Sequence, residues 1–188
     1  MLGKYIYVAC EDGSIRILKV KKKSIQLVKM LVKSTASCLS IDVVAAESKI
    51  SKPKKTIIKK QNKNSDSESS DDEEEEEDQL TGPAQHIFAG YSDGTIKKWE
   101  VKTGNSILHI QKGTKKSKCL IWCLKRFKDE YLISGDSLGE VSIWDLEFGT
   151  LIKTFNHLKA DILTLEVNLK HDTIYASGVD SRVISISL

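Results

Sequence analysis

Three residues near the C-terminal end have the side chains of a hydrolase triad: Ser177, His157 and Asp180. Such residues can act as nucleophile, base and orienting group, but a triad is defined by its geometry and not by residue types. The G-x-S-x-G turn that would expose such a serine does not occur. Because Ser177 falls on a predicted inner strand, we expect it to make a structural hydrogen bond. We predict no catalytic residue and no enzyme activity.

Metal ions and nucleotide cofactors have equally little support. Cys119 and Cys123 lie four positions apart on a predicted strand and so share a face, but this spacing fits no common zinc motif. Cys10 and Cys38 form no C-x-x-C pair either, and buried thiols commonly act as small apolar groups. The phosphate-binding motifs G-x-x-x-x-G-K-S/T and G-x-G-x-x-G are absent. We therefore predict no metal site, no cofactor and no small-molecule substrate.

Two clusters of lysines could attract phosphate groups. The first is Lys112, Lys115, Lys116 and Lys118, and the second is Lys19, Lys21, Lys22 and Lys23. Contact with RNA phosphates would not depend on base sequence, and no aromatic residues are interleaved to stack on bases. Two interpretations of the first cluster stay open, a contact with RNA or a partner and an ordinary solvated loop.

Residues 48–79 form a segment of unusual composition. Seven lysines come first and ten acidic residues follow, with only three isoleucines as large apolar side chains. Such a segment cannot bury enough apolar surface to offset its ordering entropy. We predict a disordered insert with a basic and an acidic half. Four serines next to the acids are candidate sites for an acidophilic kinase, the alternative being an unmodified solubilising tract: Ser65, Ser67, Ser69 and Ser70.

The whole chain has a globular composition. It contains 188 residues, of which 40% are hydrophobic and 29% charged, with a net charge of +3. No stretch approaches the roughly 20 apolar residues of a membrane span, and the first residues do not resemble a signal peptide. We expect neither a membrane partner nor secretion.

A repeat positions these candidate residues. Three stretches, 4–20, 86–101 and 131–146, each combine an apolar strand, a turn with Asp or Gly, and a second alternating strand, and 173–187 is a weaker copy. Asp-Gly between alternating runs indicates a hairpin. The last three copies are spaced 45 and 42 positions apart. Periods of about 40–45 residues with four strands are typical of propeller blades.

The repeat predicts an all-β propeller of about four blades, with 48–79 inserted in the second blade. The predicted strands are 4–9, 14–20 and 25–31; 37–43, 86–90, 95–101 and 106–110; 119–125, 131–135, 141–145 and 151–155; and 162–167, 173–177 and 183–187. The first blade lacks its innermost strand and the last blade its outermost, although propellers avoid exposed edges by closing the ring. We expect residues 1–188 to be a partial ring, the alternative being a complete four-blade protein.

These residues resemble the WD-repeat family. Trp144-Asp145 is a full Trp-Asp pair and Trp99-Glu100 a variant, while Leu18-Lys19 and Ser187-Leu188 stand at the equivalent places. The resemblance implies a buried hydrogen-bonded set of a tryptophan, a strand serine, a loop histidine and a turn aspartate. Its members here are Trp144 with Ser134, Trp99 with Asp93, and His157 with Ser177 and Asp180. Ala89 replaces the serine beside Trp99, so we expect Trp144 to be the more important tryptophan.

A narrower resemblance covers residues 135–180. The parts G-D-S-x-G, W-D-x-x-F-G-T-L, H-x-x-A-D-x-L and A-S-G-V-D are similar to the cirhin family of nucleolar WD-repeat proteins. The resemblance implies a scaffold of the small-subunit processome, in the nucleus and nucleolus, that supports pre-rRNA transcription and early 18S rRNA processing. It implies contacts with other processome proteins and with pre-rRNA or a small nucleolar ribonucleoprotein. The alternative is a generic WD-repeat adaptor in a chromatin or ubiquitin-ligase complex.

Overall fold

The structure is a computed structural model that describes residues 4–31, 34–44, 84–112, 119–170 and 172–187. The described residues form fourteen β-strands and contain no α-helix. None of them belongs to a helix long and apolar enough to cross a membrane. All strand pairs are antiparallel and join strands that are consecutive in the sequence.

The strands form four sheets. The first contains β1 (Tyr5–Ala9), β2 (Ile15–Lys21) and β3 (Ser24–Leu31). The second contains β4 (Cys38–Val44), β5 (His86–Tyr91), β6 (Thr95–Glu100) and β7 (Ser106–Gln111). The third contains β8 (Ile121–Phe127), β9 (Tyr131–Asp136), β10 (Val141–Asp145) and β11 (Leu151–Phe155). The fourth contains β12 (Ile162–Val167), β13 (Thr173–Gly178) and β14 (Val183–Ser187).

The predicted all-β propeller fold is confirmed. Each predicted strand agrees with an observed one within two residues at either end. The middle strands β5, β9 and β10 are buried at almost every position, because the second and third sheets are covered on both faces. The outer strands β3, β7 and β11 expose most of their residues.

Three apolar cores hold the four sheets together. Ile15 and Ile17 of the first sheet pack against Ile87 of the second. Ile96 of the second sheet packs against Leu132 of the third. The third core joins the third and fourth sheets and includes Phe127, Ile143, Ile162, Ile174 and Ile186. The second and third sheets therefore each present one face to the sheet before and the other to the sheet after.

The inner strand of each sheet lies close to the middle of the preceding sheet, and glycines allow the approach. A Cβ atom on Gly90 would lie 2.5 Å from Cγ2 of Ile121, and one on Gly135 would lie 2.5 Å from Cγ2 of Ile162. Real Cβ atoms do not come this close to other carbon atoms, so β5 and β9 require glycine where the next inner strand crosses them.

The predicted insert 48–79 lies outside the described residues. The two strands that flank it, β4 and β5, pair with each other through Val44 and His86. In the sequence, residues 48–79 therefore lie between two strands that pair with each other in the second sheet.

Candidate functional site

The third sheet contains a buried pair at the predicted tryptophan position. Trp144 on β10 donates its indole N–H to the hydroxyl of Ser134 on β9, at 2.8 Å. Both side chains are buried, and β10 is set against β9 so that Ser142 faces Ser134. The indole also packs in the core between the second and third sheets. The pair thus satisfies a buried donor while the ring fills the space between two sheets.

A buried ion-pair cluster lies beside this pair. The ammonium of Lys112 pairs with the carboxylate of Asp136 and, at 3.2 Å, with that of Glu140. It also donates to the hydroxyl of Ser142, which is hydrogen-bonded to the Thr154 hydroxyl at 3.1 Å. Lys112 is 9% exposed and Asp136 fully buried, so each charge depends on the other for compensation.

This position of Lys112 differs from the surface role expected for it. Its ammonium is directed into the third sheet, because the buried Asp136 carboxylate attracts a cation more strongly than solvent does. Lys112 is therefore removed from the candidate RNA or partner contacts. Lys115, Lys116 and Lys118 lie outside the described residues.

The second sheet also pairs its tryptophan with a hydroxyl, contrary to the expectation based on Ala89. Trp99 donates its indole N–H to the hydroxyl of Tyr91, at 3.1 Å, and both side chains are buried. Burial raises the pKa of Tyr91 well above its ordinary value, so the hydroxyl stays neutral. The ammonium of Lys97 lies 4.9 Å from the centre of the Tyr91 ring. Tyr91 thus takes over the acceptor role that Ser134 has in the third sheet.

Asp93 makes contacts within its own turn. Its carboxylate accepts hydrogen bonds from the backbone N–H of Thr95 at 3.0 Å and from the Thr95 hydroxyl at 2.6 Å. These bonds fix the turn between β5 and β6, where Gly94 has a positive φ of 80°. Asp93 stabilises the hairpin, and neither of these bonds involves Trp99.

The fourth sheet has a different register from the one expected. Ile186 pairs with Ile174 in the way that Trp144 pairs with Leu132, so Ile186 and not Ser187 takes the tryptophan place. Ala176 is likewise the counterpart of Ser134, which the sequence assigned to Ser177. Both Ile186 and Ala176 are buried, so the fourth sheet fills this position with apolar side chains alone.

The three triad-like residues of the fourth sheet are held by Arg182. The guanidinium pairs with the carboxylate of Asp180 at 2.6 Å and donates to the backbone carbonyl of His157 at 3.1 Å. The Ser177 hydroxyl donates to the Arg182 carbonyl at 3.3 Å, and the His157 ring lies beside Phe155. Hydrogen bonding to Arg182 lowers the pKa of Asp180. The three residues are thus joined through Arg182, whereas a catalytic triad requires the imidazole to join the serine and the acid.

Three cysteine thiols are neutral in the folded protein. Burial raises the pKa of Cys38, Cys119 and Cys123 to about 12, so these thiols stay protonated and are poor metal ligands. The described residues contain no group of three or more side chains that could hold a metal ion.

A hydrogen bond links the third sheet to the loop before the fourth. Trp122 on β8 donates its indole N–H to the carboxylate of Asp161, just before β12, at 2.9 Å. The candidate phosphorylation sites Ser65, Ser67, Ser69 and Ser70 lie outside the described residues.

No family model matches the sequence. It is 35% identical over 106 residues to a Schizosaccharomyces pombe protein named U3 small nucleolar RNA-associated protein 4, a match that covers 54% of this chain and 15% of the relative. The Saccharomyces cerevisiae protein of the same name is 30% identical over 108 residues, 54% of this chain and 14% of the relative. The human homolog is 24% identical over 191 residues, 99% of this chain and 22% of the relative.

The predicted resemblance to the cirhin family is confirmed. The chain spans between 14% and 22% of the length of these three cirhin relatives. Among solved structures, the computationally designed Ika4 protein superposes with a TM-score of 0.64 at 15% identity, covering all of this chain and 88% of that one. The designed Ika8 protein gives a TM-score of 0.62 at 15% identity, over all of this chain and 44% of that one. These likenesses support the propeller fold.

The WD-repeat resemblance implies a hydrogen-bonded set that the structure realises in an altered form. The third sheet has the tryptophan and the serine, and Lys112 stands where the set has a loop histidine. Asp136 and Tyr91 are two participants that the sequence motifs do not mark. A buried acid next to Ser134-Gly135 could have been suspected from G-D-S, but no spacing rule points to Tyr91.

Proposed function

We propose that the chain acts as a non-enzymatic scaffold in ribosome biogenesis in the nucleolus. It would support pre-rRNA transcription and early 18S rRNA processing as part of the small-subunit processome. The observation that carries this proposal is the shared similarity to proteins named for association with U3 small nucleolar RNA in two yeasts and in mammals. The human match covers 99% of the chain.

The geometry is consistent with a scaffold. The sheets bury their polar side chains in paired sets such as Trp144 with Ser134 and Lys112 with Asp136, which specify one rigid arrangement. The serine, histidine and acid of the fourth sheet make contacts with Arg182 instead of forming a nucleophile with its base. A rigid surface of this kind is suited to holding other macromolecules in place.

We further infer that the four sheets form part of a larger ring. The face of the first sheet that points away from the second exposes apolar side chains, with Ile25 at 61%, Leu27 at 53% and Met30 at 50%. These residues are placed on the opposite side of the sheet from the buried Ile15 and Ile17. Exposed apolar surface of this kind is normally covered by another structure.

The test is replacement of the protein in a cell that depends on it. A strain in which the protein is depleted would receive the wild-type gene, a gene lacking residues 48–79, or a gene with Trp144→Ala. We expect Trp144→Ala to cause 18S precursor RNA to accumulate, and the deletion to reduce nucleolar enrichment or slow assembly without abolishing growth. Lys128→Ala, a change in an exposed turn residue, serves as the control.

Normal precursor RNA after depletion of the protein would contradict the proposal. Recovery of the protein with chromatin or a ubiquitin ligase in the same cells would instead favour the generic adaptor function. Accumulation of precursor RNA in the depleted strain, with rescue by Lys128→Ala but not by Trp144→Ala, would support the scaffold.

A further inference from the structure

Two depressions meet at one edge of the third sheet. The first, an apolar groove between the third and fourth sheets, has a volume of about 280 Å³ and is lined by Phe127, Tyr131, Ile143, Ile152, Lys153 and Phe155. The second, an acidic cleft of about 380 Å³ between the second and third sheets, is lined by Lys98, Asp129, Glu130, Tyr131, Asp145 and Glu147. Tyr131 borders both, so the apolar groove and the acidic cleft form one continuous surface.

The acidic cleft carries a negative charge that is only partly compensated. Asp129 is paired with Arg126 at 3.6 Å, and its side chain is fully exposed. The Asp145 carboxylate accepts backbone N–H bonds from Glu147 and Phe148. Within the described part of the chain, Glu130 and Glu147 form no ion pair. Four carboxylates thus face a single ammonium, that of Lys98.

Exposed apolar side chains extend the surface beyond the groove. Phe148 is 70% exposed in the turn between β10 and β11, and the next strand begins with Leu151 and Ile152, at 53% and 51%. Apolar side chains of this size that lie next to one another and to a groove are characteristic of interaction surfaces. Phe148 follows Glu147 directly in the sequence, so an exposed aromatic side chain stands next to one of the acids.

We propose that this surface binds an extended basic segment of a partner protein, in which lysines or arginines flank a bulky aliphatic residue. The basic side chains would lie over the carboxylates of the acidic cleft, and the aliphatic side chain would enter the apolar groove. Charge complementarity favours this partner over RNA, because the carboxylates would repel phosphates.

The position of Lys153 sets the orientation of the segment. Its ammonium lies 4.7 Å from the centre of the Phe155 ring at the wall of the apolar groove. A second cation is therefore disfavoured there, whereas an apolar side chain can pack against Phe127, Tyr131 and Phe155. The basic residues belong on the side of Asp129 and Glu130, and the apolar residue on the side of Phe155.

The probe is a fluorescent synthetic peptide in which four lysines flank two isoleucines, titrated into the full chain and followed by anisotropy. We expect saturable binding that weakens at high salt. Glu147→Lys should weaken binding by about tenfold, whereas Glu11→Lys, the same change in the exposed turn between β1 and β2, should leave it unchanged. A peptide with serines in place of the isoleucines leaves the protein untouched and should bind at least about tenfold more weakly.

Four results would overturn the proposal. If the serine peptide bound as tightly as the isoleucine peptide, the interaction would depend on charge alone and the apolar groove would play no part in it. Equal effects of Glu147→Lys and Glu11→Lys would place the site elsewhere. Binding that appears only after deletion of residues 48–79 would show that the chain's own lysine-rich segment occupies the surface and that a partner does not. Tighter binding of a single-stranded RNA than of the peptide would replace the protein partner with a nucleic acid.

Discussion

The indole nitrogen of Trp99 lies 3.1 Å from the hydroxyl oxygen of Tyr91. Tyr91 holds the strand position that Asp136 holds in the third sheet, since Cys38 pairs with Tyr91 as Ile121 pairs with Asp136. The second and third sheets therefore each provide a hydroxyl acceptor for a buried indole N–H, but the two hydroxyls come from different strand positions. It follows that the two tryptophans should be more nearly equal in importance than the residue types beside them suggest.

Tyr91→Phe should destabilise the protein by about 1–3 kcal/mol, because it leaves the buried N–H of Trp99 without its acceptor. Ser134→Ala should have a similar effect through Trp144. Urea unfolding followed by tryptophan fluorescence gives both free energies of unfolding. If Tyr91→Phe unfolds at the same urea concentration as the wild type while Ser134→Ala does not, the Trp99 hydrogen bond contributes nothing.

Lys112→Met should destabilise the protein by about 3–5 kcal/mol, because the buried Asp136 would lose its compensating charge. Lys128→Met is a matched control, since Lys128 is exposed in the turn between β8 and β9. Adding Asp136→Leu to Lys112→Met should restore part of the lost stability by removing the uncompensated charge. Thermal unfolding of the four proteins would refute the buried pair if Lys112→Met and Lys128→Met behaved alike.

Gly135→Ala should disrupt the contact between the third and fourth sheets, because the added Cβ would lie 2.5 Å from Cγ2 of Ile162. Overpacking of this kind typically destabilises by about 1–3 kcal/mol. Gly104→Ala is not a suitable control, since Gly104 has a positive φ of 81° that disfavours alanine for a different reason. Ile162→Ala removes that Cγ2 atom, so the double variant should lose less stability than the two single variants lose together. Losses that simply add would place the clash elsewhere.

The buried thiols should be unreactive in the folded protein. Burial raises the pKa of Cys38 and Cys123 to about 12, so the thiolate is nearly absent at pH 8. We therefore expect these cysteines to be alkylated only after the protein unfolds. The same shift predicts that stability falls as the pH rises above about 9, since the unfolded thiols ionise there and the folded ones do not. Mass spectrometry after iodoacetamide treatment checks the first expectation. Rapid modification of Cys38 in native buffer would contradict it.

The sequence predicts the strands well because alternation and turn chemistry are local. Asp93-Gly94 between two alternating runs predicts the hairpin that the structure shows, and the resemblance to WD repeats implies the hydrogen bond between Trp144 and Ser134. The hydrogen bond of Tyr91 is not predictable from such local patterns. Its long side chain reaches the Trp99 indole from a strand position different from the one that Ser134 occupies beside Trp144.

Two further differences between prediction and structure concern the register of the fourth sheet and the burial of Lys112. Ser177-Gly178 repeats the letters of Ser134-Gly135, but strand pairing shifts the register by one residue and sets Gly178 opposite Ile162 as Asp136 is set opposite Ile121. Lys112 looks like one member of a solvated cluster, and only the packing of the third sheet shows that its charge is buried. The register of the fourth sheet and the burial of Lys112 both depend on contacts between residues that are far apart in the sequence.

Recovery of U3 small nucleolar RNA with the protein tests most directly whether it associates with U3 particles. The full-length protein would be tagged at its genomic locus and purified from sucrose-gradient fractions, and U3 RNA would be quantified against an unrelated nuclear RNA. We expect co-sedimentation with large preribosomal particles and strong enrichment of U3 RNA, both reduced by Trp144→Ala. A protein that remains in the light fractions, with U3 RNA no more abundant than the unrelated RNA, would contradict this expectation.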